Sequence, residues 1–283
     1  MRVLQDPRAL RAALWDLKRN GKTVGFVPTM GFLHEGHLSI VRQAKKENKV
    51  VVASVFVNPL QFGPKEDFWH YPRNLMRDKA LLVKEKTDFL LLPVLKDFYK
   101  PDFQSSVAVK NLSKPLCGVT RPTHFTGVCT VVLKLLNIVM PDTLYLGQKD
   151  YQQFRVIEQL VKDLDFPAEV RMVPIIREED GLAMSSRNVL LSSGEREEAV
   201  FLSRALKKAE EYVKTGIHDT ARIKKAMREE LKFIRHGHLD YLEIVDAHSL
   251  ESVVKLKNGS KILAALAVFF GKTRLIDNAL IKV

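Results

Sequence analysis

Apolar residues along the 283-residue chain fall into short blocks separated by helical periods. Residues 24–27 and 50–57 are runs rich in β-branched side chains, and 89–92, 144–146 and 170–173 are shorter runs with similar flanks. Each predicts a strand buried on both faces. Between them, residues 38–47, 75–86, 126–139 and 151–162 carry apolar positions near a 3.6-residue period, which predicts amphipathic helices. Asp6-Pro7 followed by Leu10, Leu14 and Leu17 predicts a capped helix near the N-terminus. Strands alternating with helices imply right-handed crossovers and an α/β fold with a mostly parallel, doubly wound sheet. Residues 99–123 follow neither pattern and are expected as a small excursion before the fourth of these strands.

After Pro174 the texture changes. A polar stretch, 177–188, leads into two charged amphipathic helices, 193–214 and 220–234, and then into strand-like runs at 241–245, 262–270 and 274–281. Alternation has ceased, so a smaller α+β domain with antiparallel pairing is expected. We place the boundary at Ile176, giving domains 1–176 and 177–283.

A composition of 46% hydrophobic and 28% charged residues provides for a sizeable core in a soluble protein. Cys117 and Cys129 are too few for a disulfide framework, and a reducing cytoplasm is the default expectation. Asp6, Pro7 and Asp16 break up any apolar leader. The most apolar stretches, 128–140 and 262–270, fall short of the roughly 18 residues a membrane span needs, so no membrane insertion is expected. A net charge of +12 admits nucleic acid or small anions as partners. The basic residues occur as pairs such as Lys45-Lys46, Lys207-Lys208 and Lys224-Lys225, without interleaved aromatics. That pattern fits solvated helix faces and gives no support for nucleic-acid binding.

Polar clusters follow the predicted strands, where the carboxyl ends of an open parallel sheet gather ligand-binding loops. The first strand runs into Met30-Gly31-Phe32-Leu33-His34-Glu35-Gly36-His37, and the second into Asn58-Pro59-Leu60-Gln61-Phe62-Gly63. The fourth runs into Gly147-Gln148-Lys149-Asp150, with Gln153 one turn on, and the fifth leads towards Met184-Ser185-Ser186-Arg187. These clusters are expected to face one crevice. His34 and His37 at a helix start suit a phosphate held by imidazoles and free amides, with Gly31 and Gly36 letting the backbone approach; loop and cap duty is the alternative. Lys149 suits phosphate oxygens and Asp150 ribose hydroxyls or a metal, or the pair is an ordinary solvated turn. Ser185, Ser186 and Arg187 could grip phosphates, or form an interdomain linker with a helix cap. Asn58, Gln61 and Gln153 carry amides suited to a small polar substrate, though loop amides commonly serve turns. Asp67 and Asp78 are candidates for magnesium with surface roles as the alternative, and the role of His124 stays open.

In order along the chain, the stretches 28–37, 56–62, Tyr71-Pro72-Arg73, 121–125, 147–153 and 180–188 resemble the successive signatures of the pantoate–β-alanine ligases, and the likeness extends to residues 273–278. The resemblance implies a Rossmann-like nucleotidyltransferase fold with a smaller C-terminal lid domain, in a cytoplasmic homodimer using ATP and magnesium. It implies that Met30, Gly31, Phe32, Leu33, His34, Glu35, Gly36, His37, Gly147, Gln148, Lys149, Asp150, Ile176, Met184, Ser185, Ser186 and Arg187 bind ATP. It further implies that Gln61 and Gln153 bind pantoate and that His37 is a proton donor. From their own chemistry, Asn58 is added as a substrate ligand, His34 and Lys149 as catalytic groups stabilising charge on the phosphates, and Asp78 as the metal candidate, although the sequence around it, with Met76 and Arg77 preceding, departs from the family's aspartate-rich pattern. The implied activity is condensation of pantoate with β-alanine through an acyl adenylate, releasing AMP and pyrophosphate. The rival enzyme is a nucleotidyltransferase that keeps the nucleotide on its product, and the rival of another class is an RNA-binding relative of the aminoacyl-tRNA synthetases.

Overall fold

The chain opens with a three-residue strand, β1 (Arg2–Leu4), and a helix, α1 (Pro7–Arg19), whose start is set by Asp6 accepting the Arg8 amide at 2.9 Å. Strands β2 (Val24–Thr29), β3 (Val50–Val55), β4 (Phe89–Leu91), β5 (Thr143–Gly147) and β6 (Glu169–Val173) follow, separated by helices. The principal connecting helices are α2 (Glu35–Glu47), α3 (Leu75–Lys84), α6 (His124–Val139) and α7 (Tyr151–Asp163), and the short helices α4 (Leu95–Phe98) and α5 (Cys117–Thr120) lie in the excursion before α6. The structure, a computed structural model, describes residues 1–64 and 66–283.

All pairings in the first sheet are parallel, in the order β1-β4-β3-β2-β5-β6. From β2 the chain steps to β3 and β4 on one side, then returns to β5 on the other. The strand order therefore reverses between β2 and β5, and such a switch point opens a crevice at the carboxyl ends of the two strands. Residues Val50 to Ala53 of β3 are all buried, as expected for a central strand covered on both faces. One face packs Val41 and Ala44 of α2 and Leu82 of α3 against Val27, Val51, Ala53 and Leu90. The doubly wound parallel sheet expected from the apolar blocks is thus present.

Beyond Pro174 lie α8 (Ser193–Lys214), α9 (Thr220–Leu231) and an antiparallel sheet of β7 (Gly237–Asp246), β8 (Lys261–Phe270) and β9 (Thr273–Lys282). Ser192 and Glu195 form a capping box that starts α8. Leu202, Leu206 and Ala209 of α8, with Ile223 and Met227 of α9, bury the apolar face of that sheet.

The chain divides into two compact units. The first comprises residues 1–110, 123–148 and 153–174; the second comprises 111–122, 149–152 and 175–283. The second unit therefore holds two short stretches from earlier in the chain, one of them the Lys149-Asp150 turn. Gln152 ties these stretches together: its Oε1 accepts the Cys117 amide at 3.0 Å, and its Nε2 donates to the carbonyls of Leu112 and Pro115. Cys117 and Cys129 are both buried free thiols. Among the described residues no helix is long and apolar enough to cross a membrane.

Candidate active site

In the first unit, the loop leaving β2 is fixed by main-chain geometry that few sequences tolerate. The Thr29 hydroxyl donates to the Ser54 carbonyl of β3 at 2.8 Å and accepts the Gly31 amide. The chain then passes through two left-handed residues, Gly31 at φ 84° and Phe32 at φ 50°. A Cβ at Gly31 would stand 2.8 Å from Val55 Cγ1, so no side chain fits. Phe32 has a side chain and is strained in that conformation.

Asp78 holds the strained loop. Phe32 N–H donates to its Oδ2 and Leu33 N–H to its Oδ1, each at 2.8 Å, and the residue is 1% exposed in the first turn of α3. Its neighbour Arg77 donates to the Leu33 carbonyl at 2.7 Å and lies over the Phe32 ring. The sequence put Asp78 forward for magnesium. Burial and a main-chain amide on each of its two oxygens make it a clamp for the loop. Among the described residues no group of three or more His, Cys, Asp or Glu is placed to hold a metal ion.

The clamped loop delivers His34 as N-cap of α2, in extended conformation, with His37 one turn on. Their rings lie 4.1 Å apart between centroids. The His34 amide donates to His37 Nδ1 at 3.4 Å. A neutral His37 that accepts at Nδ1 carries its proton on Nε2, which makes that edge a donor. The first-turn amides and the positive end of the helix dipole lie at the same place, a combination that favours anions. Glu35 also stands in this turn, but Arg42 bonds its carboxylate and lowers its pKa; the same guanidinium reaches Glu85.

The loop leaving β3 brings the amides together. Asn58 is fully buried: its Oδ1 accepts from Tyr99 Oη at 2.9 Å and the Leu60 amide at 3.3 Å, and its Nδ2 donates to Gln61 Oε1 and the Gly127 carbonyl, both at 3.1 Å. The sequence offered Asn58 as a direct ligand of substrate. Its bonds orient Gln61, whose Nε2 lies 3.1 Å from Met30 Sδ. His124 Nδ1 sits 2.8 Å from the Gln61 carbonyl, so the histidine left open by the sequence steadies the same loop. Gln153 is half-buried in the first turn of α7.

Helix α6 touches this loop without clearance, since a Cβ at Gly127 would lie 2.1 Å from the Leu60 carbonyl oxygen. Gly127→Ala is therefore expected to cost about 1–3 kcal/mol, read by urea unfolding, and to raise KM for the acid substrate through the displaced Gln61.

In the second unit, residues 176–188 form a braced hairpin. Met184 N–H donates to the Ile176 carbonyl at 3.0 Å, and Arg177 bridges Ala183 in antiparallel register. Arg196 of α8 reaches Glu178 and Asp180, each at 2.7 Å, and lowers the pKa of Asp180. Asn188 donates to Glu178 and to the Ala183 carbonyl. Ser185 caps a single 3-10 turn, Ser186–Leu190, by accepting the Arg187 amide at 3.2 Å. Ser186 is buried and Arg187 half-buried. Lys149, in the turn after β5, keeps its ammonium 3.7 Å from Asp150, whose side chain is half exposed.

A doubly wound parallel sheet, with a histidine-bearing helix start and an amide loop at the carboxyl ends of β2 and β3, defines the class of α/β enzymes that bind anionic ligands at a switch point. Residues 2–280 match the family described as Pantoate-beta-alanine ligase, and the chain belongs to that family. It is 49% identical over 282 residues, covering 100% of this chain and 99% of the other, to the pantothenate synthetase of Caldicellulosiruptor bescii. Among solved structures it is similar to the pantothenate synthetase of Thermus thermophilus, with TM-score 0.92, 45% identity and 99% of each chain covered. It is also similar to the pantoate-β-alanine ligase of Francisella tularensis, solved with β,γ-ATP and β-alanine, with TM-score 0.81, 36% identity and coverage of 99% and 97%.

Proposed function

We propose that this protein condenses pantoate with β-alanine, using ATP, in two steps. A carboxylate oxygen of pantoate attacks the α-phosphorus in line and expels pyrophosphate. The amine of β-alanine then attacks the acyl carbon of the adenylate, the carbon–oxygen bond breaks, and AMP leaves with the oxygen. The observation that carries this reading is the family match over residues 2–280.

Neither step needs a protein nucleophile, so the work of the side chains is placement and charge stabilisation. On this reading, the first-turn amides of α2 and the Nε2–H of His37 donate to phosphate oxygens, and His34 shares that task. The clamp from Asp78 keeps those donors fixed before ATP arrives. Gln61 and Gln153 bind pantoate, with Asn58, Tyr99 and His124 holding the first of them. Lys149 places a cation where negative charge grows on the phosphates, and Ser185, Ser186 and Arg187 contribute further donors from the hairpin. Magnesium, which neutralises phosphate charge when bound, is proposed to come with ATP; the half-exposed Asp150 fits such a role better than the buried Asp78. The working form is proposed to be a cytoplasmic homodimer.

An omission assay tests the reading. With ATP, magnesium, pantoate and β-alanine together, AMP and pyrophosphate should appear in equal amounts, and leaving out either acid or amine should stop AMP release. Pyrophosphate without AMP, with the nucleotide retained on the product, would establish the nucleotidyltransferase instead.

A further inference from the structure

The end of the chain carries two adjacent polar residues, Asp277 and Asn278, in the middle of β9, where a strand of this apolar sheet would ordinarily carry neither. Both are buried, at 2% and 5% exposure. Neither is needed to complete the sheet, because the ladder from Lys261↔Lys282 to Phe270↔Thr273 is made by main-chain groups. Burying a carboxylate and an amide costs free energy unless each finds partners, so their partners show what they do.

Asp277 takes Arg177 in a two-pronged pair, Nη1 to Oδ2 at 2.6 Å and Nη2 to Oδ1 at 3.0 Å. Arg177 opens the hairpin that carries Met184, Ser185, Ser186 and Arg187, and its Nη1 also reaches the Gly181 carbonyl at the hairpin's tip. Asn278 extends the other way: its Nδ2 donates to the main-chain carbonyl of Lys149 at 2.9 Å. Its own amide donates to Asp277 Oδ1 at 2.8 Å, which locks the two residues to each other. Burial raises the pKa of the Asp277 carboxyl, and Arg177 and the charge of Lys149 act against that rise. One dipeptide therefore touches the only two segments of the second unit for which we propose phosphate contacts.

We infer that Asp277 and Asn278 are positioning residues that set the Lys149 turn and the Ser185-Ser186-Arg187 hairpin at a fixed separation, so that both meet one triphosphate. The inference deepens the proposed ATP site and rests on it. A side-chain bond to the Lys149 carbonyl fixes the direction in which the following residues leave β5, and through it where the ammonium can reach. Loss of that bond leaves the lysine present but misplaced, and misplacement by about 1 Å commonly costs on the order of 100-fold in rate.

The test uses Asn278→Asp, which keeps the shape and removes the donor, and Asn278→Ala, which removes the donor without adding charge. Two readouts are taken well below each variant's own thermal midpoint. Hydrogen exchange of amides 149–152 should accelerate in both variants, while exchange in α8 stays as in the parent. Single-turnover adenylate formation should fall about 10- to 100-fold with the parent Lys149 present, yet change less than about 3-fold in a Lys149→Ala background. An equal loss in both backgrounds, or unchanged exchange at 149–152, would overturn the inference. If the parent protein itself forms no adenylate, the functional reading fails, and the exchange result still decides whether Asn278 holds the turn.

Discussion

Lys149→Ala is expected to slow adenylate formation by about 100- to 1000-fold, the usual cost of removing a group aimed at developing negative charge. Stability should change by less than about 1 kcal/mol, because the side chain's ion pair is a loose 3.7 Å contact to a half-exposed carboxylate. The two effects separate the roles cleanly. A strand-end lysine serving only as a solvated turn would lose neither rate nor stability, and a packing residue would lose both. Rapid-quench measurement of the adenylate, beside urea unfolding of the same preparation, distinguishes these cases. An adenylation rate within about 3-fold of the parent, a threshold on the order of 0.7 kcal/mol, would remove Lys149 from the chemistry.

Asp78→Ala is expected to damage both fold and activity. It strips the acceptor from two main-chain amides of a loop in which Phe32 is held left-handed. Bonds to a charged acceptor contribute about 1.5–3 kcal/mol each, so a loss of about 3 kcal/mol or more is expected. Activity should fall through the ATP terms first, because the loop runs directly into the His34 cap of α2. Asp78→Asn keeps one acceptor oxygen and turns an amino group towards the other amide, so it should recover only part of the stability. If Asp78 were instead a metal ligand, added magnesium would restore the variants' activity without their stability having changed, and urea unfolding with magnesium titration tells the two apart.

The regular part of the fold was legible because burial writes a period into the sequence. The central strands and α8 follow the apolar pattern nearly residue for residue. Where an element lacked that pattern, it was missed or shortened. β1 is three residues long and partly exposed, so nothing marks it beyond its register with Phe89, Leu90 and Leu91. α2 starts at Glu35, three residues before the first apolar position of its period, because its first turn is exposed or half-buried rather than packed in the core. β7 begins at Gly237, ahead of the expected Tyr241, because Gly237-His238-Leu239-Asp240 shows no run of buried apolar residues and is interrupted by a bulge between Leu239 and Tyr241.

The site was legible in its residue types and less so in its roles. Histidines and amides after β2 and β3 marked the region from local sequence alone. Which of them touch ligand and which hold others depends on partners far along the chain. Asp78 meets residues 45 and 46 positions away, and Asn58 meets Tyr99 and Gly127, 41 and 69 positions away. The bond from Asn278 to Lys149 spans 129 residues. Such pairs follow no period, so a sequence displays the donors and acceptors without showing their assignments. The tie between 111–122 and 149–152 through Gln152 is of the same kind: one buried amide satisfies three backbone groups that carry no mark in the sequence.

In the proposed reaction a carboxylate oxygen of pantoate becomes part of AMP, and the path of that oxygen can be followed directly. Pantoate labelled with oxygen-18 in its carboxylate, turned over with ATP and β-alanine, should transfer one labelled oxygen to each AMP and none to pyrophosphate. Label appearing in inorganic phosphate alongside ADP, or AMP formed without label, would contradict the acyl-adenylate route and the assignment of this site to it.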